Sequence, residues 1–483
     1  MKLFRIALGF IASFSACTAF ALQPTTEFSN VTISPFKDKA IMVPANAGMA
    51  TPIETLDVLG VGLSVEMFRQ AHAWVEMQKH PGRSILPENL SAFESNYTMK
   101  DLISEKRSAD VLERGASRFV EQWAIPSISI WAHCDKKETT KTYFGGKTSF
   151  GFFNDRVNDL RMPAGMHHHQ IVSLGSIFLD DPEDVLERAF QFFEQNPEVP
   201  ALLLYASDGD MIRQYTGEVS RRPYWEEGPR RVGSMTESMV ALVLARRDRV
   251  DAIRPFVANA MGDRNAQYFA ERDRLLNAAR AAARAAGKPE PTKLEFKPSR
   301  FVPKPWTAEQ LSQFDRLPTI AVLHRPVRVT YRKDKHGKPT FDPAQKASLM
   351  HEQEQQAAFK VGLDAALRDV PGGIPARVFY DTAGPTTGRH VVPFTVAAYH
   401  SLPGFDLFKP EQGYDISARI GNTGAASPFV QWALSAIAGY QKNDTSMTLN
   451  LRQNDEATIT VVTPSPPSGV RKNFFVFDFN PTR

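Results

Sequence analysis

The stretch Asp415–Gln441, DISARIGNTGAASPFVQWALSAIAGYQ, indicates the fold more clearly than any other part of the chain. A short apolar run ends at Ile420, the next four residues include Gly421 and Gly424 and predict a tight turn, and Ala425–Gly439 has the apolar spacing of a buried helix. The stretch therefore predicts a strand, a turn and a helix in succession. This is one unit of an α/β fold.

A second stretch repeats this pattern. In Arg231–Arg246, RVGSMTESMVALVLAR, the pair Gly233-Ser234 stands where the first stretch has Gly421-Asn422. Each stretch also follows a predicted helix, a proline-containing turn and a strand that ends in tyrosine. Agreement over several elements in the same order predicts a duplicated α/β unit. The preceding helices are Pro182–Glu194 and Ala357–Asp369, and the strands are Ala201–Tyr205 and Arg377–Tyr380.

The chain of 483 residues is long enough for two such halves. Further strands are predicted at Leu56–Ser64, Ile125–Ala132 and Thr319–Tyr331, and a closing hairpin at Thr445–Thr463. The predicted organisation is a leader at 1–21, an arm at 22–55, an N-terminal α/β half at 56–286, a Pro/Lys-rich linker at 287–318 and a C-terminal α/β half at 319–483.

The composition excludes several classes of protein. Hydrophobic residues make up 42% of the chain and charged residues 23%, which is typical of a folded globular protein. The formal net charge of +4 is too small for a chain of 483 residues to indicate a nucleic-acid partner.

The N-terminus has the features of a secretion signal. Lys2 and Arg5 precede the apolar run Ile6–Ala16, and Ala19-Phe20-Ala21 has the small-x-small pattern of a cleavage site. The apolar run is shorter than the ~20 residues that span a bilayer. We therefore predict cleavage after Ala21 and a periplasmic protein without an integral membrane domain. The alternative, if the leader is not processed, is a cytoplasmic or inner-membrane-tethered protein.

Cysteine, histidine and glycine patterns give no firm cofactor site. After cleavage Cys134 is the only cysteine, so an internal disulfide is excluded. In the run His167-His168-His169 two imidazoles share a face if the chain is extended, but no third metal ligand has suitable spacing, which favours a structural role. Gly60-Val61-Gly62 lacks the third glycine of a dinucleotide fingerprint and predicts a tight turn. We assign no cofactor-binding and no metal residue.

The repeated order of elements, closed by a β-hairpin after a buried helix, resembles the thiolase-like fold of condensing enzymes. That fold consists of two α/β halves that form a five-layered αβαβα sandwich. Arg419–Gly439 is similar to the segment of those enzymes that carries a Gly-His-Thr turn before a buried helix, and Tyr380–Gly388 resembles their His-Gly-Thr-Gly-Thr loop. The alternative is a generic three-layer α/β sandwich.

The catalytic residues of a condensing enzyme are absent from the matching positions. Asn422 stands at one histidine position, Asp381–Gly384 supplies no histidine for the other, and Gly233-Ser234-Met235 stands where a cysteine nucleophile begins a helix. Because condensation needs a thiolate and imidazoles, we predict a scaffold without that chemistry and assign no catalytic residue. The enzymatic alternative is a hydrolase or acyltransferase that uses Ser234 or the run at His167–His169, although a serine in a helix-entry turn is typical of a cap.

Four motifs follow one another along the chain: Leu59-Gly60-Val61-Gly62-Leu63-Ser64, Ala164-Gly165-Met166-His167-His168-His169, Leu204-Tyr205-Ala206-Ser207-Asp208-Gly209-Asp210 and Tyr380-Asp381-Thr382-Ala383-Gly384. In their joint order they resemble the type VI secretion lipase adapter family. The resemblance extends from about Leu56 to about Thr463 and implies a bacterial adapter or chaperone that binds a phospholipase effector and hands it to the spike of the secretion machine. No catalytic residue comes with that family.

The expected partners are a lipase effector and a secretion spike protein. Aromatic residues in predicted loops are candidate contact anchors, because aromatic side chains contribute strongly to interfaces, and packing onto the body is their other interpretation. A different binding role, suited to an exported protein, is an immunity-type protein that blocks a periplasmic toxin. The aromatic candidates are Phe150, Phe152, Tyr224 and Trp225.

Overall fold

The structure, a computed structural model, is described for residues 52–86, 107–108, 110–116, 125–131, 142–143, 147–148, 171–178, 184–209, 213, 235–257, 265–293, 296–299, 301–302, 304–342, 345–368, 370, 372–383 and 391–465.

The largest sheet has twelve strands, and its central strands Ala201–Asp208 and Ser238–Ala245 are buried along their whole length. The described strands are β1 Thr55–Val65, β2 Phe68–Arg69, β3 Ile125–Trp131, β4 Thr142–Tyr143, β5 Lys147–Thr148, β6 Ile171–Phe178, β7 Ala201–Asp208, β8 Ser238–Ala245, β9 Ala321–His324, β10 Val327–Thr330, β11 Arg332–Lys333, β12 Ser348–Leu349, β13 Arg377–Asp381, β14 Gly413–Asp415, β15 Ser446–Asn450 and β16 Glu456–Pro464.

Helices connect the strands. The described α-helices are α1 Ala71–Lys79, α2 Val185–Gln195, α3 Asn265–Ala285, α4 Ala308–Arg316, α5 Glu352–Leu367, α6 Val391–Ser401, α7 Ile416–Ile420 and α8 Ser427–Lys442, with a further helical stretch at 110–116. Short 3-10 helices occupy Arg247–Ala252, Arg254–Phe256 and Gly424–Ala426.

The two halves of the sheet repeat one topology. The first half has the order β1-β8-β7-β3-β6, in which β8 is antiparallel to its neighbours and the pairs β7–β3 and β3–β6 are parallel. In the second half β9 and β10 together stand for β1, and the order continues β16-β15-β13-β14 with the same directions. The halves join where β1 pairs antiparallel with β9. The predicted duplication of an α/β half is therefore confirmed.

The pairing of the two stretches that predicted this duplication is wrong in detail. Ser238–Ala245 is a buried strand between β1 and β7, not a helix. An unbroken run of eight apolar and small residues fits a strand with neighbours on both edges as well as a buried helix, so its periodicity cannot separate them. By its place before the fourth strand of its half, α2 is the counterpart of α8.

For the stretch Asp415–Gln441, the predicted helix is correct and the predicted strand is wrong. Helix α8 confirms the predicted buried helix, but Ile416–Ile420 is a short helix and only Gly413–Asp415 is extended. The Asp415 carboxylate accepts a hydrogen bond from the Ala418 backbone N–H at 3.0 Å, so it caps this helix.

The predicted turn at Gly60-Val61-Gly62 is also wrong, because β1 runs through it without a break in its pairing to β8 at these residues. A Cβ on Gly62 would lie 1.9 Å from the Val111 carbonyl oxygen. The glycine therefore allows the helical stretch at 110–116 to approach the strand closely.

Helix α8 occupies the centre of the molecule. Its residues from Ser427 to Tyr440 are all buried, and it contacts β1 and β8 of the first half as well as β13, β15 and β16 of the second. A helix with no polar face requires neighbours on every side. The turn that precedes α8 is therefore held where the two halves meet.

Candidate functional site

The turn at Asn422 contacts the first half of the chain directly. The Asn422 carbonyl oxygen accepts hydrogen bonds from the Thr236 backbone N–H at 3.0 Å and from the Thr236 hydroxyl at 3.2 Å, and Met235 forms a parallel bridge with Asn422. Ser234 lies outside the described residues. The residues that directly follow Gly233-Ser234 thus contact the turn at Asn422, although the elements that come next in the two stretches differ.

Asp381 is the centre of a buried polar network beside this turn. It ends strand β13, and its side chain is fully buried. One carboxylate oxygen accepts hydrogen bonds from the Ser417 hydroxyl and from the Ala383 backbone N–H at 2.8 Å. The other accepts from the Ser427 hydroxyl and from the Arg452 guanidinium at 3.0 Å. Four donors on a buried carboxylate make it a structural anion.

Arg452 connects this carboxylate to the turn. The same nitrogen, Nη1, donates to an Asp381 oxygen and to the Asn422 side-chain oxygen, each at 3.0 Å. The Asn422 oxygen also accepts from the Gly424 backbone N–H at 3.0 Å. Asn422 therefore uses its backbone and side-chain carbonyl oxygens to fix the turn.

Asp208 supplies the matching contact from the first half. It ends β7, is fully buried, and accepts the Ala425 backbone N–H at 2.7 Å across the halves. The Arg213 guanidinium donates to both of its oxygens, at 2.9 and 2.8 Å. Gly424 has a φ of +54°, and a Cβ there would lie 1.8 Å from an Asp208 oxygen. The glycine is therefore required both by the backbone conformation and by the space.

The carboxyl groups near the turn differ in their protonation. Burial opposes ionisation of Asp381, but the Arg452 charge and the Ser417 and Ser427 hydroxyls outweigh it and hold the pKa of Asp381 below its usual value. Burial raises the pKa of Asp415 to about 6, because the hydrogen bond from the Ala418 backbone N–H and the charge of Arg419 do not offset it. Asp381 is thus a permanent anion at neutral pH, whereas Asp415 titrates within a physiological range.

Arg419 makes a second link between the halves. Its guanidinium donates to the carbonyl oxygens of Met77, His80 and Arg83, at and just beyond the end of α1. Only 2% of Arg419 is exposed, and its cation lies 5.4 Å from the centre of the Tyr414 ring. The unpaired carbonyls at a helix C-terminus attract a cation, so Arg419 closes α1 from the opposite half.

An open cleft of about 610 Å³ lies beside Arg452. Its lining residues are Arg332, Ala347, Ser348, Leu349, Arg452, Gln453, Asn454 and Asp455. The cleft is bounded by strands β11 and β12 and by the turn between β15 and β16. The cleft adjoins the central network, because Arg452 belongs to both.

Several candidate residues from the sequence lie outside the described residues. These are Phe150, Phe152, Tyr224, Trp225, Ser234, Cys134 and the run His167–His169. Within the described residues, no group of three or more His, Cys, Asp or Glu side chains is placed to hold a metal ion. The described helices include none that is long and apolar enough to span a bilayer.

Sequence reasoning missed Asp208, Asp381 and Arg452 as members of one network. Two of the three do have a signal in the sequence, since an aspartate that ends an apolar strand is expected at the edge of a sheet where sites form. Arg452 has no such signal, because it lies 71 positions from Asp381 in the hairpin turn.

Taken together, the fold and the network define a duplicated α/β protein in which charged and polar side chains at the central turn hold the two halves together. Two family models match this chain. "Type VI lipase adapter protein Tla3, N-terminal" matches residues 54–226, and "Type VI lipase adapter protein Tla3, C-terminal" matches residues 320–464. The chain belongs to the type VI lipase adapter family, and the resemblance stated from its motifs is confirmed.

The similar solved structures include condensing enzymes. The peroxisomal 3-ketoacyl-CoA thiolase of Saccharomyces cerevisiae, a five-layered structure of two core domains of identical topology, is 8% identical with a TM-score of 0.39, over 85% of this chain and 98% of that chain. The ketosynthase from module 1 of the bacillaene synthase of Bacillus amyloliquefaciens is 9% identical with a TM-score of 0.45, over 86% of this chain and 73% of that chain. Both have the thiolase-like fold class that the sequence predicts, and nothing about their activity is transferred to this chain.

Proposed function

We propose that this chain is a non-enzymatic adapter that binds a phospholipase effector and brings it to the spike of a type VI secretion machine. The observation that carries the proposal is the match of both halves to the type VI lipase adapter family. An adapter needs a stable surface and no reactive centre. The central network agrees with this role, because Asp381, Asn422 and Arg452 form hydrogen bonds with one another and with the backbone.

The compartment is part of the proposal. The leader at Met1–Ala21 favours export, so we propose that the adapter meets its effector in the periplasm. If the leader is retained, the meeting takes place in the cytoplasm or at the inner membrane. Fractionation followed by N-terminal sequencing distinguishes these cases, since a new N-terminus at Leu22 in the periplasmic fraction marks export and cleavage.

Co-purification tests the adapter role. The tagged chain is expressed with the phospholipase and the spike protein encoded beside it, and each pair and the three together are analysed by size-exclusion chromatography. We expect a stable complex with the phospholipase, and recruitment of the spike protein that depends on the adapter. Failure of the phospholipase to bind under these conditions contradicts the proposal.

Two further assays address the alternatives. An immunity-type protein inhibits the phospholipase, whereas an adapter leaves its turnover intact in the complex. A hydrolase or acyltransferase acts on lipid or acyl substrates by itself, and its turnover is abolished by Ser234→Ala or His169→Ala. Inhibition of the phospholipase, or turnover that one of these substitutions abolishes, contradicts the adapter role.

A further inference from the structure

We propose that the cleft between the β11–β12 ribbon and the turn Arg452–Asp455 binds an extended acidic segment of the effector. This inference rests on the proposed function and names the surface that performs it. The argument uses the shape of the cleft, its apolar residues, its charge and the pairing of its strands.

The cleft has the size and the walls for a short extended peptide. At about 610 Å³ it lies in the range of about 300–1,000 Å³ that ligand sites occupy. Its lining combines residues of β11 and β12 with the turn Arg452–Asp455. Because the cleft is open to solvent, a chain can enter it without threading through the protein.

Two exposed apolar residues lie near Arg332 in the backbone pairing: Leu349 lines the cleft, whereas Phe341 lies outside its lining, with its ring centre 4.9 Å from the Arg328 guanidinium. Leu349 is 54% exposed and stands opposite Arg332 in the register of the ribbon. Phe341 is 45% exposed and follows Thr340, whose backbone N–H donates to the Arg332 carbonyl oxygen at 3.0 Å. Neighbouring exposed apolar groups with a polar surround are typical of an interaction surface. They offer contacts for an apolar side chain of the partner.

The segment that contains the ribbon is basic. Residues 331–350 contain five basic and two acidic residues, which gives +3 with histidine neutral, compared with +4 for all 483 residues. Of the basic residues, Lys335, Lys338 and Lys346 are exposed, lie outside the lining of the cleft, and form no ion pair among the described residues. A basic surface of this kind favours an acidic partner and speeds its association.

The ribbon also offers backbone groups. In the described part of the chain β12 pairs only with β11, so its other edge has no strand partner. An extended segment recognised at such an edge gains main-chain hydrogen bonds, while alternate side chains reach the surface. Charge from the lysines and an apolar contact at Leu349 then select a segment in which acidic and apolar residues alternate.

Fluorescence anisotropy with a short labelled peptide of alternating Glu and Leu tests the inference. The variant carries Lys335→Glu, Lys338→Glu and Lys346→Glu. The matched control carries Lys288→Glu, Lys293→Glu and Lys297→Glu, which change the same number of exposed charges in a different segment. We expect the first variant to weaken peptide binding about tenfold or more and the control to bind within about twofold of the unaltered protein.

A second variant, Leu349→Ser, tests the apolar contact, and circular dichroism establishes that each variant is folded. The inference is overturned if the peptide does not bind, if a peptide of alternating Lys and Leu binds equally well, or if the two triple variants behave alike. Binding to phosphatidylglycerol vesicles through the same lysines, without peptide binding, assigns the surface to a membrane and also overturns it.

Capture of the phospholipase separates this inference from the proposed function. If the variant at Lys335, Lys338 and Lys346 captures the phospholipase as well as the unaltered protein does, the adapter role stands and the cleft is not its docking surface. If the unaltered protein captures no phospholipase, the adapter role itself fails. If the unaltered protein captures the phospholipase and this variant does not, the result supports both the adapter role and the cleft as its docking surface.

Discussion

Replacement of Arg452 by methionine removes the cation from the central network while it keeps a side chain of similar length. In the protein Arg452 lies 3.0 Å from a fully buried Asp381 oxygen, and its own side chain is 9% exposed. The variant Arg452→Met therefore leaves a buried carboxylate without its charged partner. The turn at Asn422 loses a hydrogen bond at the same time.

The expected cost at neutral pH is about 3 kcal/mol. Removal of one partner of a buried ion pair typically costs about 3–5 kcal/mol. The lower end applies here because the hydroxyls of Ser417 and Ser427 and the Ala383 backbone N–H continue to donate to Asp381. The double variant Asp381→Asn with Arg452→Met removes the stranded charge, so its cost should fall below the sum of the single variants by about 1–3 kcal/mol.

The destabilisation caused by Arg452→Met should also depend on pH, and the direction of that dependence follows from the pKa of Asp381. In the unaltered protein the pKa of Asp381 is lowered, so its ionised form contributes stability above the unfolded pKa of about 3.9, and this is lost as the pH falls through the folded pKa. Without Arg452 burial dominates and the pKa rises. In acid, protonation of Asp381 then removes the unpaired buried charge from the variant. The difference in the free energy of unfolding between the two proteins should therefore shrink as the pH falls from 7 towards about 5.

Urea unfolding followed by tryptophan fluorescence at several pH values measures these differences. The control is Arg316→Met, since Arg316 and Glu309 are 66% and 69% exposed and their ion pair should contribute about 0.5 kcal/mol or less. A cost for Arg452→Met below about 1 kcal/mol, or one that is equal at all pH values, refutes a structural role for this ion pair.

Three further variants test other parts of the site. Arg419→Leu leaves the carbonyls at the end of α1 without their cation and should cost about 2–4 kcal/mol in urea unfolding, whereas a change below about 1 kcal/mol contradicts the cap. Gly424→Ala must displace Asp208 and should lower the melting temperature far more than Gly337→Ala, which has a similar positive φ and open space around it. Asp415→Asn keeps the helix cap and removes a carboxyl whose pKa is raised to about 6. The unaltered protein should lose stability as the pH rises from about 4 to about 6 relative to this variant, and parallel pH profiles contradict the raised pKa.

Several elements could be predicted because their signal is local. The closing hairpin, α8 and the strands before Asp208 and Asp381 each combine an apolar run with turn residues at its ends. Burial of such a run stabilises the same element in almost any α/β setting. The duplication itself was predicted correctly, but the predicted pairing of its elements is shifted: α2 and β7 are the counterparts of α8 and β15, not of Ala357–Asp369 and Arg377–Tyr380.

Other elements depend on neighbours that the local sequence does not show. Ser238–Ala245 is a strand because β1 and β7 lie on its two edges, and the continuity of β1 through Gly62 depends on the helix that packs on it. The local sequence of Ser238–Ala245 is compatible with a strand or a helix, and that of β1 at Gly62 with a continuous strand or a turn. Tertiary pairing decides between them because buried backbone groups must find hydrogen-bond partners.

The sequence by itself determined the apolar periodicities of α8 and of the closing hairpin, the turn at Gly421–Gly424, and the family. Only the tertiary structure decided that Asp381, Asn422 and Arg452 form one network, that Asp208 bonds to the same turn from the first half, and that residues of β11 and β12 line a cleft beside Arg452. The physical reason is distance along the chain. Contacts between residues far apart in sequence exist only after both halves have closed around α8, and electrostatic partners are chosen by that geometry rather than by local spacing.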